Sequence, residues 1–222
     1  MSDVGTTNDA RDAAVETAAD PNFGVPTEPA DPWVLLTAWL PTNDDPDRPQ
    51  VTVSTVNELG APDARTVLLS EFDRTGFYFH TDANSRKASH IAANPHVAVT
   101  VLWPGFTRQL VIQGTAEVAP VDEIAAAYIS RSPYLKQLAW LNSHEFAQHP
   151  LEERRATWAA FIDEHGPDLD QLAASLDQPA SWIGYLVRPT RLTFWGSNPD
   201  AASRRTEYTL VDGQWTIGHL PG

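Results

Sequence analysis

Apolar and polar positions alternate with period two along Val51-Thr-Val-Ser-Thr-Val56, the pattern of a half-buried strand. Asn57–Gly60 turns the chain into a β-branched run, Arg65–Leu69, and a second turn around Asp73–Gly76 leads into the aromatic run Phe77–Thr81. Two such runs around an Asp/Gly turn predict an antiparallel hairpin of 65–69 with 77–81. A near-continuous apolar run, Val97–Trp103, a Pro104-Gly105 turn and Arg108–Val118 add further strands. The pattern changes to a helical period at Trp33, Leu36 and Trp39/Leu40, behind Asp31 as N-cap and Pro32 at the first helical position. A Pro- and Asp-rich loop, Pro41–Gln50, follows that helix, and Ser85–Ala93 starts another.

Residues 121–175 read as helical, with segments at Val121–Ser130, Leu135–Leu141 and Leu151–Glu164. In the last, Glu152-Glu153-Arg154-Arg155 is a solvated face, and Trp158, Phe161 and Ile162 form a stripe expected to be core. Gly184–Arg188, Arg191–Trp195, Glu207–Val211 and Trp215–Leu220 complete the strands. About six closely spaced strands before residue 118, with one short helix inserted, predict a small antiparallel Greek-key barrel with flanking helices rather than βαβ units. One domain is expected over 29–222. Residues 1–28, rich in Asp, Ala, Thr and Pro, bury too little surface to offset ordering entropy and are expected to form a disordered tail.

Composition narrows the function. A 222-residue chain that is 42% hydrophobic can bury one substantial core. No apolar run approaches the roughly 18–20 residues of a membrane span, and no signal peptide opens the sequence, so a cytoplasmic protein is expected. With no Cys, disulfides and thiolate chemistry are excluded. A net charge of −14 disfavours nucleic acid and anionic membranes as partners. Any phosphate ligand must then sit in a local basic pocket. Arg65, Thr81, Ser85, Arg86 and Lys87 cluster at strand ends and a helix start, and read either as an anion site or as a solvated hairpin end. There is no GxGxxG after a strand, Walker loop, HExxH or GxSxG, and the seven His are scattered.

R-x-V-L-L, an aromatic strand ending in Thr, and SRKASHIAANP (Ser85–Pro95) resemble the flavin-binding core of the pyridoxamine 5′-phosphate oxidase family. Arg108-Gln109, Tyr128 with Ser130-Arg131, Ala139-Trp140, Phe194-Trp195 and Arg205 before Tyr208 follow in that family's order. The resemblance implies a six-stranded split barrel that binds FMN, as a homodimer with the flavin at the interface and a C-terminal segment in dimerisation. It implies FMN contacts from Arg65, Thr66, Val67 and Leu68, and phosphate and ribityl contacts from Thr81, Arg86 and Lys87. His80 and Ser85 belong to the same cofactor-binding set. Gln109 would bond the flavin ring, with Trp195 and Arg205 contributing from the C-terminal segment.

The substrate half departs from the family pattern. Ser70 stands where the family has a substrate-facing Lys, and Leu135 where it has a Ser. In the R-L-H-D-R segment, Ala201 replaces the first Arg and Ser203 the His, leaving Arg205. Tyr128 and Arg131 match phosphate-binding positions and are kept. Each lost charge-assisted bond weakens an anionic ligand by roughly 1.5–3 kcal/mol. The expectation is therefore an FMN-dependent oxidase that takes a hydride at flavin N5 from a less anionic small molecule, with specialised metabolism as the model, and O2 as re-oxidant. The alternatives are an authentic pyridoxine/pyridoxamine 5′-phosphate oxidase, in which Arg204 or Lys136 replaces a lost contact, and a non-catalytic flavin or deazaflavin binder.

Overall fold

The computed structural model describes residues 28–165 and 176–222. The expected tail, apart from Glu28, lies outside the described residues. The strands are β1 (Gln50–Val56), β2 (Pro62–Leu68), β3 (Glu71–Asp73), β4 (Gly76–Asp82), β5 (His96–Leu102), β6 (Arg108–Val118), β7 (Trp182–Gly196), β8 (Arg204–Val211) and β9 (Gln214–Pro221). The helices are α1 (Trp33–Trp39), α2 (Arg86–Ala93), α3 (Val121–Ile129), α4 (Pro133–Leu141) and α5 (Leu151–His165). All pairings are antiparallel, in the order β2-β1-β5-β6-β7-β4-β3, with β8 on β7 and β9 on β8. Six long strands, β2 to β4 in that order, make the curled sheet of a split barrel. The short β3 and the β8–β9 hairpin extend it.

Period-two burial builds the core. Val51, Val53 and Thr55 of β1 face inward with Val97, Val99 and Val101 of β5 and Leu110 and Ile112 of β6. The Asp31 carboxylate accepts the Trp33 amide at 3.1 Å, while Pro32, expected at the first helical position, takes the N-cap position of α1. The helix lays Trp33 against Phe77, 5.7 Å between ring centres, and sets Trp39 edge-on to Phe194 at 5.1 Å. A second cluster, Tyr78, Ile124, Tyr128, Trp182 and Leu186, lies where α3 covers β4 and β7.

Three expectations need correction. The strand over 65–69 does not pair with 77–81. It is the end of β2, whose partner is β1 (Val53↔Arg65), while β4 forms its hairpin with the three-residue β3 (Phe72↔Phe77). The charged ends of Glu71-Phe72-Asp73 hide that strand from an apolar pattern. Gly184–Arg188 and Arg191–Trp195 are one strand, β7, which carries an irregularity where Gln113 pairs Arg191 but Gly114 pairs Pro189. Pro189 has no amide to donate, so it sits at the bulge instead of ending the strand. Finally, no residue of α5 is buried. Trp158 is half-buried, its ring 5.6 Å from that of Tyr134, so the stripe is a partly covered face rather than core.

At the bulge the two backbones touch: a Cβ on Gly114 would lie 1.9 Å from the Arg188 carbonyl oxygen. Gly114→Ala is expected to destabilise the fold by roughly 2–3 kcal/mol, because backbone on both sides must move. A lower urea midpoint with an unchanged slope would show it; an unchanged midpoint would show that the ladder yields there without strain.

Candidate functional site

A cleft of about 260 Å³ opens between the end of β2, the end of β4, the start of α2 and helix α4. Thr66, Val67 and Leu68 form one wall, Thr81, Ser85 and Lys87 another, and Arg131, Leu135, Ala139 and Trp182 close it. Lys87 Nζ donates to Thr81 Oγ1 at 2.7 Å, and Thr81 Oγ1 is 3.5 Å from Ser85 Oγ. Ser85 precedes α2 without a side-chain capping bond, so its hydroxyl does not occupy the first-turn amides. Burial, and then the nearby Arg65 charge, depress the Lys87 pKa, with Asp82 opposing. Burial also lowers Arg131 to about 10, and its guanidinium carbon lies 4.3 Å from the centre of the Trp182 ring. Desolvated cations beside hydroxyls and a helix start suit this cleft to an anionic group.

Arg65 and Arg86 stand behind the cleft and do not line it. Arg65 Nη1 donates to the Val53 carbonyl at 3.0 Å and to Thr55 Oγ1 at 2.9 Å, and Nη2 is 2.8 Å from Asp63 Oδ2. The same Asp63 oxygen is 3.5 Å from Arg86 Nη1. Burial pushes the Asp63 carboxyl up, but Arg65, the Ala64 amide and Arg86 together outweigh it and hold it below the usual carboxylate range. Asp63 is thus an internal anion between two of the expected ligand-binding arginines. Nothing in the spacing of the sequence marks it.

A larger cavity of about 540 Å³ adjoins the cleft across Leu68, Arg131 and Leu135. Ser70, Glu71, Asp44, Asp45 and Arg48 line it. Tyr128, expected there, is buried instead and accepts a hydrogen bond from Trp140 Nε1 at 3.2 Å. His80 has both ring nitrogens engaged: Nδ1 is 2.7 Å from Ser70 Oγ and Nε2 is 3.2 Å from Glu123 Oε2. Lys136 is buried with its ammonium 5.4 Å from the centre of the Tyr128 ring, and Arg204 is ion-paired with Glu28, so both have partners away from the cavity.

The remaining expected residues gather elsewhere. Gln109 of β6 pairs Trp195 of β7, which pairs Arg205 of β8, so the three form one row across the sheet. Trp195 Nε1 donates to Ser203 Oγ at 2.9 Å, and the Ala201 amide donates to Asn198 in the loop beside it. None of these residues lines the cleft or the cavity. Trp182 lines the cleft at the start of β7 and Trp195 stands near its end, roughly 40 Å away along the strand at about 3.3 Å per residue. The expected pocket wall of Ser70, Leu135, Ala201 and Ser203 is therefore not assembled within one chain. No group of three or more His, Cys, Asp or Glu suited to a metal occurs among the described residues. Nor is any described helix long and apolar enough to cross a membrane.

An antiparallel split barrel with a cationic cleft at the β2/β4/α2 junction places the molecule with the flavin-binding oxidoreductases of that architecture, and comparison makes the class specific. The profile described as pyridoxamine 5′-phosphate oxidase matches residues 46–164. A pyridoxine/pyridoxamine 5′-phosphate oxidase of Salinibacter ruber is 35% identical over 199 residues, covering 86% of this chain and 88% of its own. Its counterpart in Bacteroides thetaiotaomicron is 34% identical over 196 residues, covering 86% and 89%. Among solved structures, PhzG from Burkholderia lata in complex with tetrahydrophenazine-1-carboxylic acid matches with a TM-score of 0.73 at 24% identity, over 91% of this chain and 96% of that one. A pyridoxamine 5′-phosphate oxidase-related, FMN binding protein from Nostoc punctiforme matches with a TM-score of 0.60 at 18% identity, over 78% and 88%. The chain belongs to the pyridoxamine 5′-phosphate oxidase family.

The depressed Lys87 pKa gives a signed prediction. Between that value and the ordinary 10.5, the folded chain binds fewer protons than the unfolded one, so Lys87 adds stability as pH rises through this window. An anion in the cleft reverses the preference by favouring the charged amine. Inorganic phosphate is expected to raise Tm at pH 7 and to do so less as pH climbs toward the Lys87 titration. In Lys87→Met that increment should vanish. A phosphate effect that is equal in both proteins would place the anion elsewhere.

Proposed function

We propose that this protein is an FMN-dependent oxidoreductase whose substrate is less anionic than the phosphorylated vitamers named for its relatives. The observation that carries the reading is the contrast between two adjoining spaces. The cleft has desolvated Lys87, Thr81 and the uncapped start of α2, which suit the phosphate of a mononucleotide. The neighbouring cavity sets three carboxylates, Asp44, Asp45 and Glu71, against Arg48 and Arg131, with Ser70 as a neutral polar group. Such a lining favours a neutral or cationic ligand over a second phosphate. When bound, the flavin supplies the two-electron chemistry, accepting a hydride and passing the electrons to O2. The chain's own part is to hold the phosphate at Lys87, fix the ring between apolar walls and admit the substrate beside Leu68.

The second copy implied by the family completes this reading. The row Gln109–Trp195–Arg205 continues into Leu102 on one side and Leu220 on the other, 52% and 42% exposed. A homodimer that lays this row over the partner's cleft would join the two halves of the expected flavin site and cover that apolar edge. The names of the curated relatives favour a second reading, an authentic pyridoxine/pyridoxamine 5′-phosphate oxidase with Arg131 as phosphate ligand.

Lys87→Ala and Arg86→Ala test the cofactor site. Removing a charge-assisted bond of roughly 1.5–3 kcal/mol should weaken FMN binding about ten- to a hundred-fold. Lys87→Ala should be the more damaging, because Lys87 lines the cleft while Arg86 is 78% exposed and shared with Asp63. Full FMN occupancy in both variants would remove the assignment. The substrate is tested by anaerobic titration of the FMN-loaded protein with pyridoxine and pyridoxamine 5′-phosphates. An unchanged oxidised spectrum is expected at micromolar ligand; bleaching within seconds would establish the vitamin B6 reading instead.

A further inference from the structure

Ser70, His80 and Glu123 form a continuous polar line into the fold beside the larger cavity. The His80 side chain is fully enclosed and that of Glu123 is 13% exposed. The imidazole lies flat against Trp182, 5.1 Å between ring centres and 6° between planes. Gly184 leaves the space on its far edge, since a Cβ there would be 2.7 Å from His80 Nε2. The ring is therefore clamped, and its two nitrogens have fixed partners at 2.7 Å (Ser70) and 3.2 Å (Glu123).

The chemistry of those partners sets the direction of the line. An ionised carboxylate only accepts, so Glu123 selects the tautomer with the proton on Nε2. Nδ1 is then bare and accepts the Ser70 O–H. The lone pairs of Ser70 are left for the cavity that it lines. Glu123 Oε1 is buried beside the Glu71 carboxyl. Glu71 is its carboxyl neighbour, and burial, followed by Glu123 itself, raises the Glu71 pKa, with Asp73 adding to the rise and Arg48 opposing it. A proton entering the line at Ser70 thus has an imidazole to receive it and carboxyls behind to balance the charge.

We propose that Ser70, His80 and Glu123 are a proton relay that takes the N–H or O–H proton of a substrate oxidised in this cavity. The proposal rests on the flavin-oxidation reading above. In the step, the substrate's X–H bond (X being N or O) gives its proton to Ser70 Oγ as Ser70 gives its own to His80 Nδ1. The adjacent C–H bond breaks with its electron pair, and the hydride goes to the oxidised flavin. The electron pair left on X forms the C=X bond. One hydride and one proton leave the substrate, the flavin is reduced by two electrons, and the imidazolium stays paired with Glu123. Ser70 is the group that touches substrate; His80 and Glu123 act through it as positioning residues.

The test uses the full chain, labelled with ¹⁵N and loaded with FMN. Long-range ¹H–¹⁵N spectra, with His80 identified by its loss in His80→Gln, report the tautomer. Wild type is expected to carry the proton on Nε2, and Glu123→Gln to become a mixture; a proton on Nδ1 in the wild type overturns the relay. Millimolar unphosphorylated pyridoxine, an alcohol without the phosphate charge, then serves as the reductant in anaerobic single turnover. Ser70→Ala should slow flavin bleaching at least ten-fold at unchanged FMN occupancy, and Ser70→Thr should restore most of the rate. Equal rates in wild type and Ser70→Ala overturn the proposal. If this reductant leaves the wild type oxidised, the tautomer decides alone. A wild-type chain that holds no FMN refutes the flavin reading, while the tautomer of the unloaded chain still judges the relay.

Discussion

The β6–β7 ladder is the constraint on which the rest of the molecule depends. β6 pairs β7 along nearly its whole length, from Arg108↔Gly196 to Val118↔Tyr185. On its other edge, β7 serves two partners in turn: β4 over 182–187 and β8 over 191–195. The bulge at Pro189 marks the change of partner. A strand this long buried in a curled sheet must bend, and a proline opposite a glycine lets it do so without stranding an amide. The ladder thereby fixes the cleft at one end of β7 and the Gln109–Trp195–Arg205 row at the other. No rearrangement of side chains within one chain brings them together, which is why the flavin site proposed above needs a second copy.

Electrostatics explain how so acidic a chain can offer an anion site. With a net charge of −14, the surface field repels a phosphate at long range. Desolvation confines the remedy to a few ångströms: Lys87 and Arg131 are held partly out of water, where their charge is least screened and most in need of a counter-ion. Asp63 works against them by occupying Arg65 and Arg86. This division leaves Lys87 as the principal cation facing the cleft. Arg65 then acts mainly through the fold, bridging β2 to β1 and, through Thr55, to His90 of α2.

What could be read in the sequence was what local chain geometry determines. Val51–Val56 and Arg108–Val118 declare themselves because alternation is a property of one strand. Thr81, Ser85 and Lys87 meet because a strand end and a helix start are only a few residues apart. β3 is too short and too charged to produce a pattern, and Pro189 reads as a break although it sits inside a strand. The α5 stripe has a core composition, yet no residue of that helix is buried. Glu123 could not have been paired with His80 from spacing, since 43 residues and a change of element separate them. Gln109, Trp195 and Arg205 were named by resemblance, but that they share a row follows only from register.

The same register argument separates the local half of the expected site from its distributed half. The residues proposed to hold a mononucleotide phosphate are local, because they also end β4 and start α2. The residues expected to face substrate come from three distant places: the turn after β2, the α3–α4 region, and the loop before β8. Each of these can change without disturbing a ladder. Replacing a long cation by Ser70 does more than remove charge, because a short hydroxyl sits 2.7 Å from a clamped imidazole. A lysine there would reach past His80 into the cavity and leave Nδ1 to find another donor. With serine at this position, where the strand β2 ends and the cavity begins, the chain has no cation there and its hydroxyl completes the line to His80 and Glu123.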